Sequence, residues 1–99
     1  MEISKSKLGE SGILIKPVGR IDVNTAVDFG CFINDELDGK TELVIDFSEI
    51  IYISSIGLRV LLELQKRMNT QGSMKLINVK PEVMEIFNMT GFNNILTII

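Results

Sequence analysis

The stretch Asp46-Phe-Ser-Glu-Ile-Ile-Tyr-Ile-Ser54-Ser55-Ile-Gly57-Leu-Arg59 decides how the rest of the chain is read. Ahead of it, Leu43, Val44 and Ile45 run on without alternation, as in a strand buried on both faces. A short polar step follows Phe47, and then a second apolar cluster, Ile50 to Ile53. After Ser54 and Ser55 the period changes. Leu58, Leu61, Leu62, Leu64 and Met68 lie on or beside one helical stripe. Serine just before such a run is a helix-start signal, because its hydroxyl can accept a hydrogen bond from an unpaired first-turn amide. Gly57 falls in that first turn, where glycine costs about 1 kcal/mol against alanine. Close approach of another element, or of a partner, is the physical reason to keep it. On the residues alone the stretch is a strand, a loop and a capped helix, with either serine as the cap.

Working outward toward the N-terminus, residues 2 to 8 read as a first strand and residues 13 to 18 as a second. Gly9-Glu-Ser-Gly12 between them invites a hairpin. Pro17 has no N–H for a ladder, which suggests a sheet edge or a bulge nearby. Asn24 or Thr25 can cap a helix whose apolar face is Ala26, Phe29, Ile33 and Leu37, and Asp28 completes a capping-box pattern with Thr25. Gly39 is its expected stop. The third strand spans residues 41 to 47. Toward the C-terminus, the helix that starts at Ser55 runs to about Gln71 and closes at Gly72, with Glu63 placed to pair with Lys66 and Arg67. A fourth strand is expected over residues 74 to 79. Pro81 opens a last helix with Val83, Ile86 and Phe87 inward and Gly91 as its stop, and residues 95 to 99 are apolar enough for a short final strand. Strands and helices thus alternate after residue 12. The expected fold is α/β: one domain over residues 1–99, with a mixed central sheet of four to five strands and crossover helices.

Composition narrows the function. With 99 residues the chain can bury one core. Its 45 % hydrophobic and 23 % charged residues argue against long disorder. No apolar run is long enough to span a bilayer, and Met-Glu-Ile-Ser-Lys-Ser-Lys lacks the pattern of a secretory signal, so a cytoplasmic location without membrane insertion is expected. Cys31 is the one cysteine, which precludes an internal disulfide, and reads as a small buried hydrophobe. Histidine is absent, which removes cysteine–histidine zinc sites and a serine–histidine–aspartate triad. There is no Gly-rich phosphate loop and no evident general base for Ser55, so neither a cofactor, a metal nor a catalytic residue is expected. The net charge of −3 argues against nucleic acid as a partner.

The order Asp46-x-Ser48-x-x-x-Tyr52-Ile53-Ser54-Ser55-x-Gly57-Leu58 resembles the signature of STAS domains, in the form found in bacterial anti-sigma factor antagonists. Gly19-Arg-Ile-Asp22-x-x-Thr25-Ala26 looks like that family's exit from strand two, and Phe87-x-Met-Thr-Gly91-Phe92 looks like its late helix end. The resemblance implies helices packed mainly on one face of the sheet. It also implies a phosphorylated serine two places before the glycine, which here is Ser55. Where many members have aspartate before that serine this chain has Ser54, which makes Ser54 the alternative site; where many have serine, threonine or alanine after it, the chain has Ile56. The function implied by this resemblance is a switch and not an enzyme. Unmodified, such a protein binds an anti-sigma factor, often itself a serine kinase, and frees a sigma factor; phosphorylation breaks the complex and a phosphatase restores it. The expected contact surface is Asp22, Asn24 and Thr25 from one loop, Ser54, Ser55, Ile56 and Gly57 from the other, and Arg59 one turn on. Alone, the protein is expected to be a monomer. The alternative is a STAS subunit docked permanently on a larger assembly, such as a lipid-transport complex.

Overall fold

The computed structural model describes residues 1–99. Five strands and three helices occur in the order β1 (Glu2–Leu8), β2 (Gly12–Ile21), α1 (Ala26–Asn34), β3 (Glu42–Asp46), β4 (Ile50–Ile53), α2 (Ser55–Gln71), β5 (Ser73–Ile77) and α3 (Pro81–Thr90), with a 3₁₀ turn at Phe92–Asn94. The first hairpin is antiparallel, Glu2 opposite Val18 and Leu8 opposite Gly12. Every later pairing is parallel, and the main sheet has the order β1-β2-β3-β5. No helix is long and apolar enough to cross a membrane.

The sheet buries one face. Ile13 and Ile15 of β2, Leu43 and Ile45 of β3, and Met74 and Leu76 of β5 join a single core with residues from all three helices. The alternate residues Leu14, Lys16 and Lys75 are only half-buried, so the helices lie on one side, as period-two alternation requires. Phe47 leaves β3 and packs on Phe87 of α3 with ring centroids 6.2 Å apart, which ties the last helix to the same core.

The structure refines two expectations about β2 and its neighbours. The apolar cluster Ile50–Ile53 is a strand, and β2 extends to Ile21 to meet it. Pro17 is therefore not at an edge; of the two expected settings the nearby bulge is the one found, as the register shift at Gly19/Arg20. Pro17 pairs with Ile3 on one side. On the other, β2 pairs with β3 only through Ile15 and with β4 only from Gly19, so the missing N–H of Pro17 falls where one neighbour hands over to the next. The register shifts at Gly19/Arg20, and Gly19 N–H donates to the Glu49 carbonyl at 2.9 Å as the new pairing begins.

The helices depart from the expected pattern in three places. α1 ends at Asn34, yet Leu37 beyond it is fully buried, in a turn that Gly39 closes with φ +76°. Arg67 pairs with Asp38 at 2.8 Å and leaves Glu63 to Lys66 alone. Cys31 is exposed, not buried, because it lies on the outer side of α1. At the C-terminus a 3₁₀ turn at Phe92–Asn94 precedes the expected final strand, and of that strand only one parallel bridge, Leu76 to Ile98, forms.

Candidate functional site

α2 starts at the serine pair, as the helix-start signal predicts. Ser54 is extended at φ −88° and ψ 173° and occupies the N-cap; its hydroxyl accepts from Gly57 N–H at 3.2 Å. Its carbonyl takes the next amide, that of Leu58, at 2.9 Å. The amides of Ser55 and Ile56 have no partner. Ser55 is the first helical residue, is exposed, and its hydroxyl makes no hydrogen bond within the chain. The two serines are thus chemically distinct: one hydroxyl is committed to the cap and the other is free. The first turn contains no acidic side chain. Arg59 is exposed one turn on and makes no ion pair.

A second loop lies against this helix start. Ser54 N–H donates to the Ile21 carbonyl at 2.8 Å, joining the end of β2 to the start of α2. Gly57 explains why the contact can be so close. A Cβ at that position would sit 2.7 Å from Ile21 Cγ2 and 2.7 Å from Ile53 Cγ1, below any ordinary contact. The glycine thus lets the first turn of α2 rest on the ends of two parallel strands.

Beyond Ile21 the loop is held by its own side chains. Thr25 Oγ1 accepts from Asp22 N–H at 2.9 Å and donates to the Arg20 carbonyl at 2.6 Å. Asp22 Oδ1 accepts from Asn24 N–H at 2.9 Å, an Asx turn. Thr25 occupies the N-cap of α1 but gives it no side-chain bond, so the capping box expected with Asp28 does not form. The reason is competition, since the hydroxyl already bridges the loop behind it. Asp22 and Thr25 are half-buried scaffolding, and of the three expected contact residues here Asn24 is the exposed one.

Sequence reasoning misses a pair beside them. The Arg20 guanidinium stands 4.4 Å from the centroid of the Tyr52 ring, a cation–π contact, with Nε 3.9 Å from Asp22 Oδ2. Both residues lie within the motifs that carry the STAS resemblance. The signal that could have joined them is the β2–β4 pairing, which sets Arg20 opposite Tyr52. Asp46, at the far end of the motif, is also structural. Burial alone would raise its pKa, but hydrogen bonds from the Ser48 backbone and side chain and from Asn78, with the nearby Lys16 charge, hold it below the ordinary value.

The STAS domain family matches residues 5–99. BtrV of Bordetella bronchiseptica, assigned as an anti-sigma factor antagonist, is 41 % identical over 58 residues, a match that spans 58 % of this chain and half the length of that relative. The anti-sigma factor antagonist SpoIIAA in its unphosphorylated form superposes with a TM-score of 0.82 at 16 % identity, over 99 % of this chain and 88 % of that one. An anti-sigma factor antagonist from Mycobacterium paratuberculosis gives 0.84 at 20 % identity, over 98 % and 85 %. At such identities these two likenesses concern the fold. The family match, reaching from the first hairpin through both loops of the site to the C-terminus, makes this chain a member of the STAS domain family.

Proposed function

We propose that this protein is a phosphorylation-regulated anti-sigma factor antagonist, acting from the cytoplasm through the start of α2. The observation that carries the reading is the free, exposed hydroxyl of Ser55 at a helix N-terminus whose own first amides are unpaired. A kinase transfers the γ-phosphoryl group of ATP to Ser55 Oγ, whose proton is released. The phosphate then meets the positive end of the helix dipole, with the Ser55 and Ile56 amides in the first turn and the Arg59 guanidinium one turn on. It adds a charge of about −1.5 to −2 without needing the helix to melt. The backbone keeps its shape while the surface changes sign. An anti-sigma factor with an acidic or apolar contact at that spot is released by repulsion and by desolvation. Hydrolysis by a phosphatase restores the binding form. The relative BtrV is assigned as an anti-sigma factor antagonist, and SpoIIAA, a fold neighbour, has solved structures in unphosphorylated and phosphorylated forms, which supports the reading.

The cap geometry favours Ser55 over Ser54, whose hydroxyl is taken by Gly57 N–H. The test is intact-mass spectrometry of the protein recovered from its native cells, with the site mapped by fragmentation and a Ser55→Ala copy as control. One phosphate on Ser55 is the expected result. A phosphate on Ser54 keeps the switch and moves its site. No phosphate under any growth condition, with constant co-purification on a membrane complex regardless of ATP, would replace the switch with a permanent subunit.

A further inference from the structure

A cavity of about 330 Å³ opens beside the first hairpin, between β1 and the turn that joins α1 to β3. Lys5, Lys7, Glu10 and Ile13 line it from the hairpin, and Glu36 and Lys40 from the turn. Lys5 stands opposite Ile15 and Lys7 opposite Ile13 in the antiparallel ladder. Directly opposed residues share a face, so both lysines point to the helix side of the sheet, next to the buried Ile13 and Ile15. Three of the chain's seven lysines thus converge on one space, although the chain as a whole has a net charge of −3.

The two walls are tied to each other in two places. Lys5 Nζ donates to Glu36 Oε2 at 2.9 Å. Thr41 N–H donates to the Ser11 carbonyl at 2.8 Å, and the hydroxyls of the same two residues share a bond of 2.9 Å. The turn is also anchored by α2, where Gln71 Nε2 donates to the Leu37 and Lys40 carbonyls at 2.8 and 2.7 Å. The backbone on both sides is therefore in place before a ligand arrives. The charges are not balanced. Glu36 is taken up by Lys5, while Lys7 and Lys40 form no ion pair. Lysines on an edge strand commonly serve only to block strand pairing. Lys40 comes from a different element and has no such duty. With lysine and no arginine, the cavity offers compact point charges instead of a planar fork, which suits a tetrahedral oxyanion better than a carboxylate. Glu10, exposed at the hairpin tip, repels a bare anion but accepts a hydrogen bond from a hydroxyl.

We infer that this cavity binds a small phosphate monoester of a polyol, with the phosphate between Lys7 and Lys40 and a hydroxyl donating to Glu10. The site is separate from the serine switch and does not rest on it. Gly12, in the cavity wall, and Ile21, bonded to Ser54, are the two ends of β2, roughly 30 Å apart along the strand.

The test uses the intact, isotopically labelled chain, with glycerol 3-phosphate as the probe and inorganic phosphate and glycerol as references. Glycerol 3-phosphate is expected to shift the amide resonances of Lys7, Gly12, Lys40 and Thr41 saturably, and to bind more tightly than inorganic phosphate; glycerol should give no shift. Lys7→Gln and Lys40→Gln should each weaken the ester about tenfold, the loss of one charge-assisted contact, with the rest of the spectrum unchanged. Lys80→Gln should leave binding as it is, because Lys80 lies past β5 at the other end of the sheet and is likewise without an ion pair. Glu10→Gln should narrow the gap between the ester and inorganic phosphate, since it removes the repulsion. No saturable shift, shifts centred on the first turn of α2, an equal loss with Lys80→Gln, or inorganic phosphate binding as tightly as the ester would overturn the inference.

Discussion

Gly57 is where a single methyl group has the largest leverage on the site. Alanine would gain up to about 1 kcal/mol of helix propensity. It would also push a methyl between Ile21 and Ile53, whose branched side chains come from two different strands and are stiff. Overpacking of this kind costs about 1–3 kcal/mol, so Gly57→Ala should lower the urea midpoint and loosen the Ser54–Ile21 bond. Ser54→Ala should cost about 1 kcal/mol as a lost cap, Ser54→Asp should retain the cap, and Ser55→Ala should leave the midpoint where it is. The serines therefore separate by equilibrium unfolding before any kinase is added. Asp46 gives a pH signature. Its pKa lies below the ordinary 3.8 in the folded chain. The stability it contributes is present above the unfolded value and is lost as pH falls through the lower, folded one. Acid titration of unfolding should show a drop below about pH 4 that Asp46→Asn reduces. At this scale the sequence is informative where a residue breaks a local rule, as Gly57 does inside a helix. It is silent where a side chain has two possible partners. Thr25 is a legitimate cap by type, and only the folded loop shows its hydroxyl drawn back to Arg20.

Elements with one dominant period are legible and those with divided loyalties are not. α2 spans Ser55–Gln71 as its stripe predicts, because seventeen residues of one amphipathic pattern leave little choice. β4 is four residues long, with Ile50 and Ile53 buried and Ile51 and Tyr52 exposed, which is neither strict alternation nor a fully buried run. Its identity depends on β2 continuing past Pro17, a long-range fact. α1 shows the same limit. Leu37 is as buried as the helix period demands but is reached by a turn, because Gly30 and the absence of a C-terminal basic residue give α1 little intrinsic stability. Arg67 supplies from α2 what α1 lacks, a cation at its C-terminus, bonded to the Asn34 carbonyl. Arg67→Ala should therefore cost about 1 kcal/mol. Asp38→Ala should leave the thermal midpoint unmoved, since Asp38 is 98 % exposed and its ion pair is solvated. Thermal melts of the two variants decide whether Arg67 acts as a cap or as a salt bridge.

For the whole molecule the relevant quantity is charge on a fixed frame. The chain has a net charge of −3, and one phosphate takes it to about −5. Phosphorylated protein should elute later from an anion exchanger yet keep its circular dichroism, with resonance shifts confined to the Ile21–Thr25 loop and the first turns of α2. Spectral change spread through the core would contradict a surface switch. The contact of Arg20 with Tyr52 makes such a change visible in another way. The sequence has one tyrosine and no tryptophan, so fluorescence excited beyond the absorption of the phenylalanines comes from a single ring, and that ring lies in the strand leading into Ser55. Any charge added at the serine that draws Arg20 from the ring alters the emission of the sole tyrosine. The chain thus includes its own optical gauge of occupancy at the site, readable without a label and during a reaction.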